Sequence, residues 1–489
     1  MQQSYDAVGR PASVSSGTTT YLSGTTYNAN FSLAGFAFGN GVTATYGYAS
    51  DRLQTQSITY AKSGTTLFSQ TYTFNQSGAN NGHITAITDN VDSGRSMTYT
   101  YDSLERLTTA LSQGSTNYPQ WGLSWTFDRY GNRLSQAVTA GSGPTNSVAV
   151  NPATNQITTT GYAYDANGDT TNDGVNAVVY DAENRAVSAA DGSGTASYSY
   201  NGSGLRVQKT FSGTTTVYVF SEGRVIAEYA NGTLSEEYVY TNGGSLLAEY
   251  DNGFLTYHGR DYLSTRILMD ANGNVAGQQG HYPFGEGWYT TTTKWHFTNY
   301  ERDAESANDY AKFRYHANRL GRFLTVDPVR PSRPDPQLLN RYSYVASDPI
   351  NRKDPNGLEA CAPVDGITCV CCDPFWGCDS TYDGEECQAH CNDGPCGNDG
   401  GGLPPPPPPP PPLSQCFCQL KYRPVNDIPK KLHATHSFWY IQDISQQQRI
   451  ISGFPSKPNG KGFLNDFINP NIYTGVDNVS ATTWFNTVT

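Results

Sequence analysis

Cysteine is missing from the first 360 residues of this chain, and no apolar run among its 489 residues approaches the roughly 20 needed for a membrane-crossing helix. The first absence excludes a disulfide or zinc–cysteine framework for that long body, and the second excludes a helical span. Basic residues are also scarce. The 31 Lys+Arg against 43 Asp+Glu leave a net charge of −12, which argues against nucleic acid as a partner of the body, because phosphate binding needs clustered cations. The small basic group Lys421, Arg423, Lys430 and Lys431 reads as a solvated face. No charged start followed by an apolar stretch marks a secretory leader, and Gln2–Arg10 already falls inside a repeated pattern, so the chain reads as a piece of a longer polypeptide.

What is abundant is glycine (49) and tyrosine (34), and they recur together. An aromatic residue, Asp, two or three residues, Gly or Asn, then Arg appears as Tyr5-Asp6 to Arg10, Tyr101-Asp102 to Arg106, Phe127-Asp128 to Arg133 and Tyr180-Asp181 to Arg185. Tyr164-Asp165 to Asp169, Tyr200-Asn201 to Arg206 and Tyr250-Asp251 to Gly253 are further copies. Each copy has the chemistry of a β-hairpin. Asn-Gly and Asp-x-x-Gly supply the positive φ of a tight turn, and the flanks alternate with a strand's period of two, as in Thr98-Tyr99-Thr100-Tyr101. Tyrosine, with an apolar body and a polar tip, can line a sheet without an aliphatic core. These tyrosines and aspartates are therefore structural. The expected fold is mainly β over residues 1–358, with any helix confined to 301–320.

The pattern resembles the YD repeats of the Rhs family, shared by bacterial polymorphic toxins, insecticidal toxin-complex C subunits and teneurins. The resemblance is dense from Tyr257 to Leu358: Tyr257-His258-Gly259-Arg260-Asp261-Tyr262-Leu263-Ser264-Thr265-Arg266, Tyr282-Pro283-Phe284-Gly285-Glu286, Glu301-Arg302-Asp303, Arg314-Tyr315 and Leu320 to Pro328 resemble the Rhs repeat-associated core. It implies a spiral β-sheet shell over 1–256, complete or partial, closed by a core at 257–358. A Cys- and Pro-rich linker at 359–412 and a variable C-terminal domain of unknown fold at 413–489 would follow.

The resemblance also implies self-cleavage directly after Asp354-Pro355-Asn356-Gly357-Leu358, in the manner of an aspartic protease, where two carboxylates share a proton. Asp327 and Asp354, in matching AspPro contexts, become the catalytic candidates, with Asp348 next. Arg322 and Arg341 would orient a carboxylate, and the scissile bond would join Leu358 to Glu359. Two departures stand: Asp327-Pro328-Val329-Arg330 lacks the family's glycine, and Tyr315-His316-Ala317-Asn318 replaces Tyr-Tyr-Asp-Pro. An insertion at 331–336 also offers Asp335 as an alternative first carboxylate. Read without the resemblance, these AspPro sequences are simply turns.

All ten cysteines lie between Cys361 and Cys418, in an acidic, Gly-rich setting that favours disulfides in an oxidising compartment. Zinc is the alternative: Cys387 and Cys391 with His390 have suitable gaps but no second half. Pro404–Pro412 forms a stiff polyproline II spacer of about 28 Å. In the tail, Cys416 or Cys418 with His433 or His436 and Asp443 would make a nucleophilic set; a small β-rich binding module is the plainer reading. No metal or cofactor is expected.

Two function classes follow. One is a bacterial toxin-delivery protein, secreted or at the cell surface, with an immunity protein as partner and no enzymatic activity beyond self-cleavage and an unidentified C-terminal one. The other is an adhesion protein whose YD strip binds glycans or proteins on a target cell.

Overall fold

The computed structural model describes residues 1–358 except 77–78, 242, 290–292 and 329–338; beyond 358 it describes only the backbone of the strands at 362–363, 368–373, 377–383, 417–423, 436–442 and 448–453. The disulfides, the polyproline run, and Cys416, Cys418, His433, His436 and Asp443 as a site all lie outside what is described. Two compact units are present, Met1–Gly397 and Asn398–Thr489. In the second, Phe417–Arg423, His436–Gln442 and Gln448–Gly453 form an antiparallel meander.

The first unit is almost entirely β. Strands from Gln2–Tyr5 to Asn146–Ser147 make a 13-stranded sheet in sequence order, and those from Tyr162–Tyr164 to Val275–Gln278 make a second of 13. Every pairing in both is antiparallel, and each joins successive strands except that Thr65–Thr73 pairs with Ala86–Asp89 across a small separate hairpin of Asn75–Gln76 and Ala79–Asn80. Among the described residues, 3-10 turns stand at Ser93–Arg95, Phe297–Asn299 and Val345–Ser347, and no α-helix is present. The window 301–320, where the sequence left room for helix, is strand as well. Glu301–Arg302, Asp309–Ala311 and Arg314–Ala317 are short paired strands, turned by Ala307 and Lys312 at φ 55° and 61°, a conformation a helix cannot absorb.

One device builds the repeats. The ladder shifts register at the aromatic, between Thr100 and Tyr101 for example, and the following Asp caps the turn. Asp102 Oδ1 accepts from the backbone N–H of Leu104 (2.9 Å) and Arg106 (3.0 Å), while Oδ2 receives Arg106 Nε at 2.7 Å. Burial opposes ionisation of Asp102, but the Arg106 side chain and these backbone donors outweigh it and hold the carboxyl below its ordinary range. The Arg106 guanidinium then lies 5.0 Å from the Phe127 ring centre in the next copy, and Nη1 donates to the Asp128 carbonyl at 2.7 Å. Arg10 over Tyr27 (4.5 Å) and Arg185 over Tyr200 (5.1 Å) repeat the arrangement. In these copies the arginine ties one turn to the next strand pair.

The copy at Asp165 breaks the rule. Four residues on, where the copies at Asp6, Asp102, Asp128, Asp181 and Asp270 carry Arg or Asn, stands Asp169, which is fully buried. Its Oδ1 accepts from Val326 N–H at 3.3 Å and its Oδ2 has no hydrogen-bond partner. Burial raises this carboxyl to about 6; the Val326 bond counteracts it and the Asp165 charge adds to it.

Residues 279–358, which follow the last strand of the second sheet, pack against both sheets. Trp125 and the Arg133 guanidinium meet Phe284, the latter 4.7 Å from the ring centre. From the other sheet, fully buried Arg206 pairs with Asp303 (2.5 Å) and Glu301 (3.0 Å) and stacks on Tyr310 at 4.1 Å. Such a charge survives burial only because it is paired and bonded.

Candidate autocleavage site

The segment Asp354–Leu358 is a turn organised by its own aspartate. Asp354 Oδ1 accepts from the backbone N–H of Asn356 (3.3 Å), Gly357 (2.7 Å) and Leu358 (3.1 Å). Gly357 has φ 81°, and a Cβ there would lie 2.7 Å from the Ala311 carbonyl oxygen, so glycine is required. Phe313 N–H donates to Asn356 O at 3.1 Å, docking the turn on the hairpin of Asp309–Ala311 and Arg314–Ala317. The Tyr300 hydroxyl donates to the Asp354 carbonyl.

Arg314 joins the two candidate carboxylates. Its Nη2 lies 2.8 Å from Asp327 Oδ2 and 3.3 Å from Asp354 Oδ2, its Nη1 donates to Arg341 O at 3.2 Å, and its Nε donates to Gly357 O. The guanidinium stacks 3.7 Å from the Phe323 ring centre. Both Arg314 and Asp354 side chains are 3% exposed, whereas that of Asp327 is 19% exposed. A cation between two carboxylates favours the charged form of both, the opposite of a dyad sharing one proton.

Arg341 acts at backbone level. Its Nε donates to the Asp327 carbonyl at 2.8 Å, and Asp327 N–H donates to Arg341 O at 3.0 Å, pinning together the two ends of the inserted segment. Arg322 goes elsewhere: Nη2 donates to Asn155 O at 2.7 Å and the guanidinium lies 4.4 Å from the Tyr342 ring centre. Asp348 faces His83 at 3.3 Å. Glu359 and Asp335 lie outside the described residues, and Leu358 N–H also donates to Asn356 Oδ1 at 3.0 Å. Arg314 itself escaped sequence reasoning as a site residue; its only signal was the Arg314-Tyr315 motif.

No family model matches the chain. In sequence it is 28% identical over 252 residues to the tRNA3(Ser)-specific nuclease WapA of Bacillus spizizenii and 26% identical over 252 residues to the tRNA nuclease WapA of Bacillus subtilis. Both alignments cover 48% of this chain and 11% of the relative, so the chain spans about a tenth of those proteins. In structure it is similar to TccC3 in the complex TcdB2-TccC3-Cdc42, with a TM-score of 0.61 at 19% identity, and in TcdB2-TccC3, with a TM-score of 0.60 at 20%. Each covers 73% of this chain and about a fifth of the other. At that identity the likeness is one of fold.

The chain is an Rhs/YD-repeat protein. The two large antiparallel sheets fit the β-shell of that family, and its relatives are toxins of the polymorphic kind. No helix among the described residues of this Rhs protein is long and apolar enough to cross a membrane.

Proposed function

We propose that this Rhs protein is the shell and core of a polymorphic toxin which presents or encloses a C-terminal effector at 413–489 and cuts itself between Leu358 and Glu359. The observation that supports this reading is Arg314, which gathers Asp327, Asp354 and the Gly357 carbonyl around one guanidinium, directly ahead of that bond. In the proposed step Asp327, the more exposed carboxylate, takes a proton from water as the oxygen adds to the Leu358 carbonyl carbon. It returns that proton to the Glu359 nitrogen as the C–N bond breaks, leaving a carboxylate on Leu358 and an amine on Glu359. Asp354 holds the turn through its three N–H acceptances, and Arg314 offsets the paired negative charge. The toxin would act outside its producer, which would carry an immunity protein as its partner.

Intact mass and denaturing electrophoresis of the purified full-length chain test the proposal. A C-terminal piece beginning at Glu359 is expected, and Asp327→Asn and Asp354→Asn should each leave the chain whole with its β signature intact. A wild-type chain of uncut mass, or cutting that persists in Asp327→Asn, overturns it.

A further inference from the structure

A cavity of about 80 Å³ opens beside the Asp354 turn, with Lys353 and Pro355 in its wall. Arg260, Asn299 and Glu301 share that wall. Its polar lining is rich in donors left without acceptors. Lys353 is 3% exposed, and no ion pair joins it to any described residue. The Asn299 side chain is 8% exposed; its Oδ1 accepts from Thr265 N–H at 2.8 Å, which fixes the amide's orientation and leaves Nδ2 buried with no partner. Arg260 Nε is likewise buried and unpartnered. The lone carboxylate of the wall, Glu301, is already committed to Arg206 at 3.0 Å and Lys209 at 3.5 Å. Burial opposes its ionisation, but Arg206 and Lys209 overcome this and hold it at about 2.

Buried donors without acceptors, here Asn299 Nδ2 and Arg260 Nε, carry a desolvation penalty that an acceptor relieves, and Lys353 adds a positive charge to the same wall. Water could supply acceptor lone pairs to these donors but no charge to balance the cations. An oxyanion supplies both, and the cavity has room for one small ion and little else.

We propose that this cavity binds a single small oxyanion of the phosphate class, held by Lys353, Arg260 and the Asn299 amide. The site is independent of cleavage chemistry. It faces the Lys353 side of the turn, whereas the carboxylates gather on Arg314, and it is read by binding alone. Calorimetric titration of the purified full-length chain with inorganic phosphate, against sodium chloride of matched ionic strength, should show one saturable site. Phosphate should also raise the thermal midpoint, as a ligand of the folded state does. Lys353→Met should weaken binding at least about tenfold. Asn299→Asp keeps the acceptor for Thr265 and places a carboxylate in the cavity, so it should abolish binding while the fold survives; it decides the matter should Lys353→Met fail to fold. No saturable phosphate binding by the wild type, or wild-type affinity in Asn299→Asp, overturns the proposal.

Discussion

Replacing Asp169 with Asn should stabilise the protein, and the gain should depend on pH in a predictable way. The Asp169 carboxyl titrates at about 6 in the folded chain against 3.8 when unperturbed. The folded state therefore favours its neutral form. Its contribution is fully present below the unfolded value and is lost as pH rises through about 6, so above neutrality the wild type carries a buried charge whose Oδ2 has no hydrogen bond. A displacement of about two units, at 1.36 kcal/mol each, sets a ceiling of about 3 kcal/mol on the penalty, and about 2 kcal/mol is expected after relaxation of the site. Asn does not titrate, keeps an oxygen for Val326 N–H, and brings the donor that this copy lacks. In neighbouring copies Asn132 Nδ2 donates to Asp128 Oδ2 at 2.8 Å and Asn274 Nδ2 to Asp270 Oδ2 at 3.1 Å. Thermal unfolding of both proteins followed by circular dichroism should show Asp169→Asn melting roughly 2–4 °C higher at pH 8. The difference should shrink towards zero near pH 4. No gain at pH 8, or an equal gain at both values, would refute the assignment of a buried, unbalanced carboxylate.

Arg106→Ala removes the Asp102 ion pair, the bond to Asp128 O and the stack on Phe127, and should cost about 1–2 kcal/mol in urea unfolding. A loss below a few tenths would mean that the turns are not coupled through their arginines. Arg206→Met leaves Asp303 and Glu301 in the interior with Lys209 as their remaining ion-pair partner, and about 3–5 kcal/mol of destabilisation is expected from the same assay. Thiol counting on the denatured, non-reduced protein should find most of the ten cysteines paired; ten free thiols, or tightly held zinc, would count against an oxidised linker.

The repeat was legible in the sequence because everything that makes it lies within about five residues. Asp102 and Arg106 bond each other across a single turn, the alternation of Thr98–Tyr101 sets which face is buried, and the charge reversal at Asp169 is visible by aligning one copy with the next. Short turns between strands favour pairing with the sequence neighbour, which accounts for most of the strand order. Residues 301–320 defied local reading because their short strands are held by partners far away, as when Tyr218 donates to Glu301 at 2.9 Å. The candidate site belongs to the tertiary structure in the same sense. Asp327 and Asp354 stood out as AspPro aspartates, but only the fold sets both on Arg314, turns Arg322 toward Asn155 and gives Arg341 the Asp327 backbone. Sequence pattern determines contacts whose geometry one turn dictates; which guanidinium meets which carboxylate across tens of residues depends on how the core seats against both sheets, and that is decided by packing.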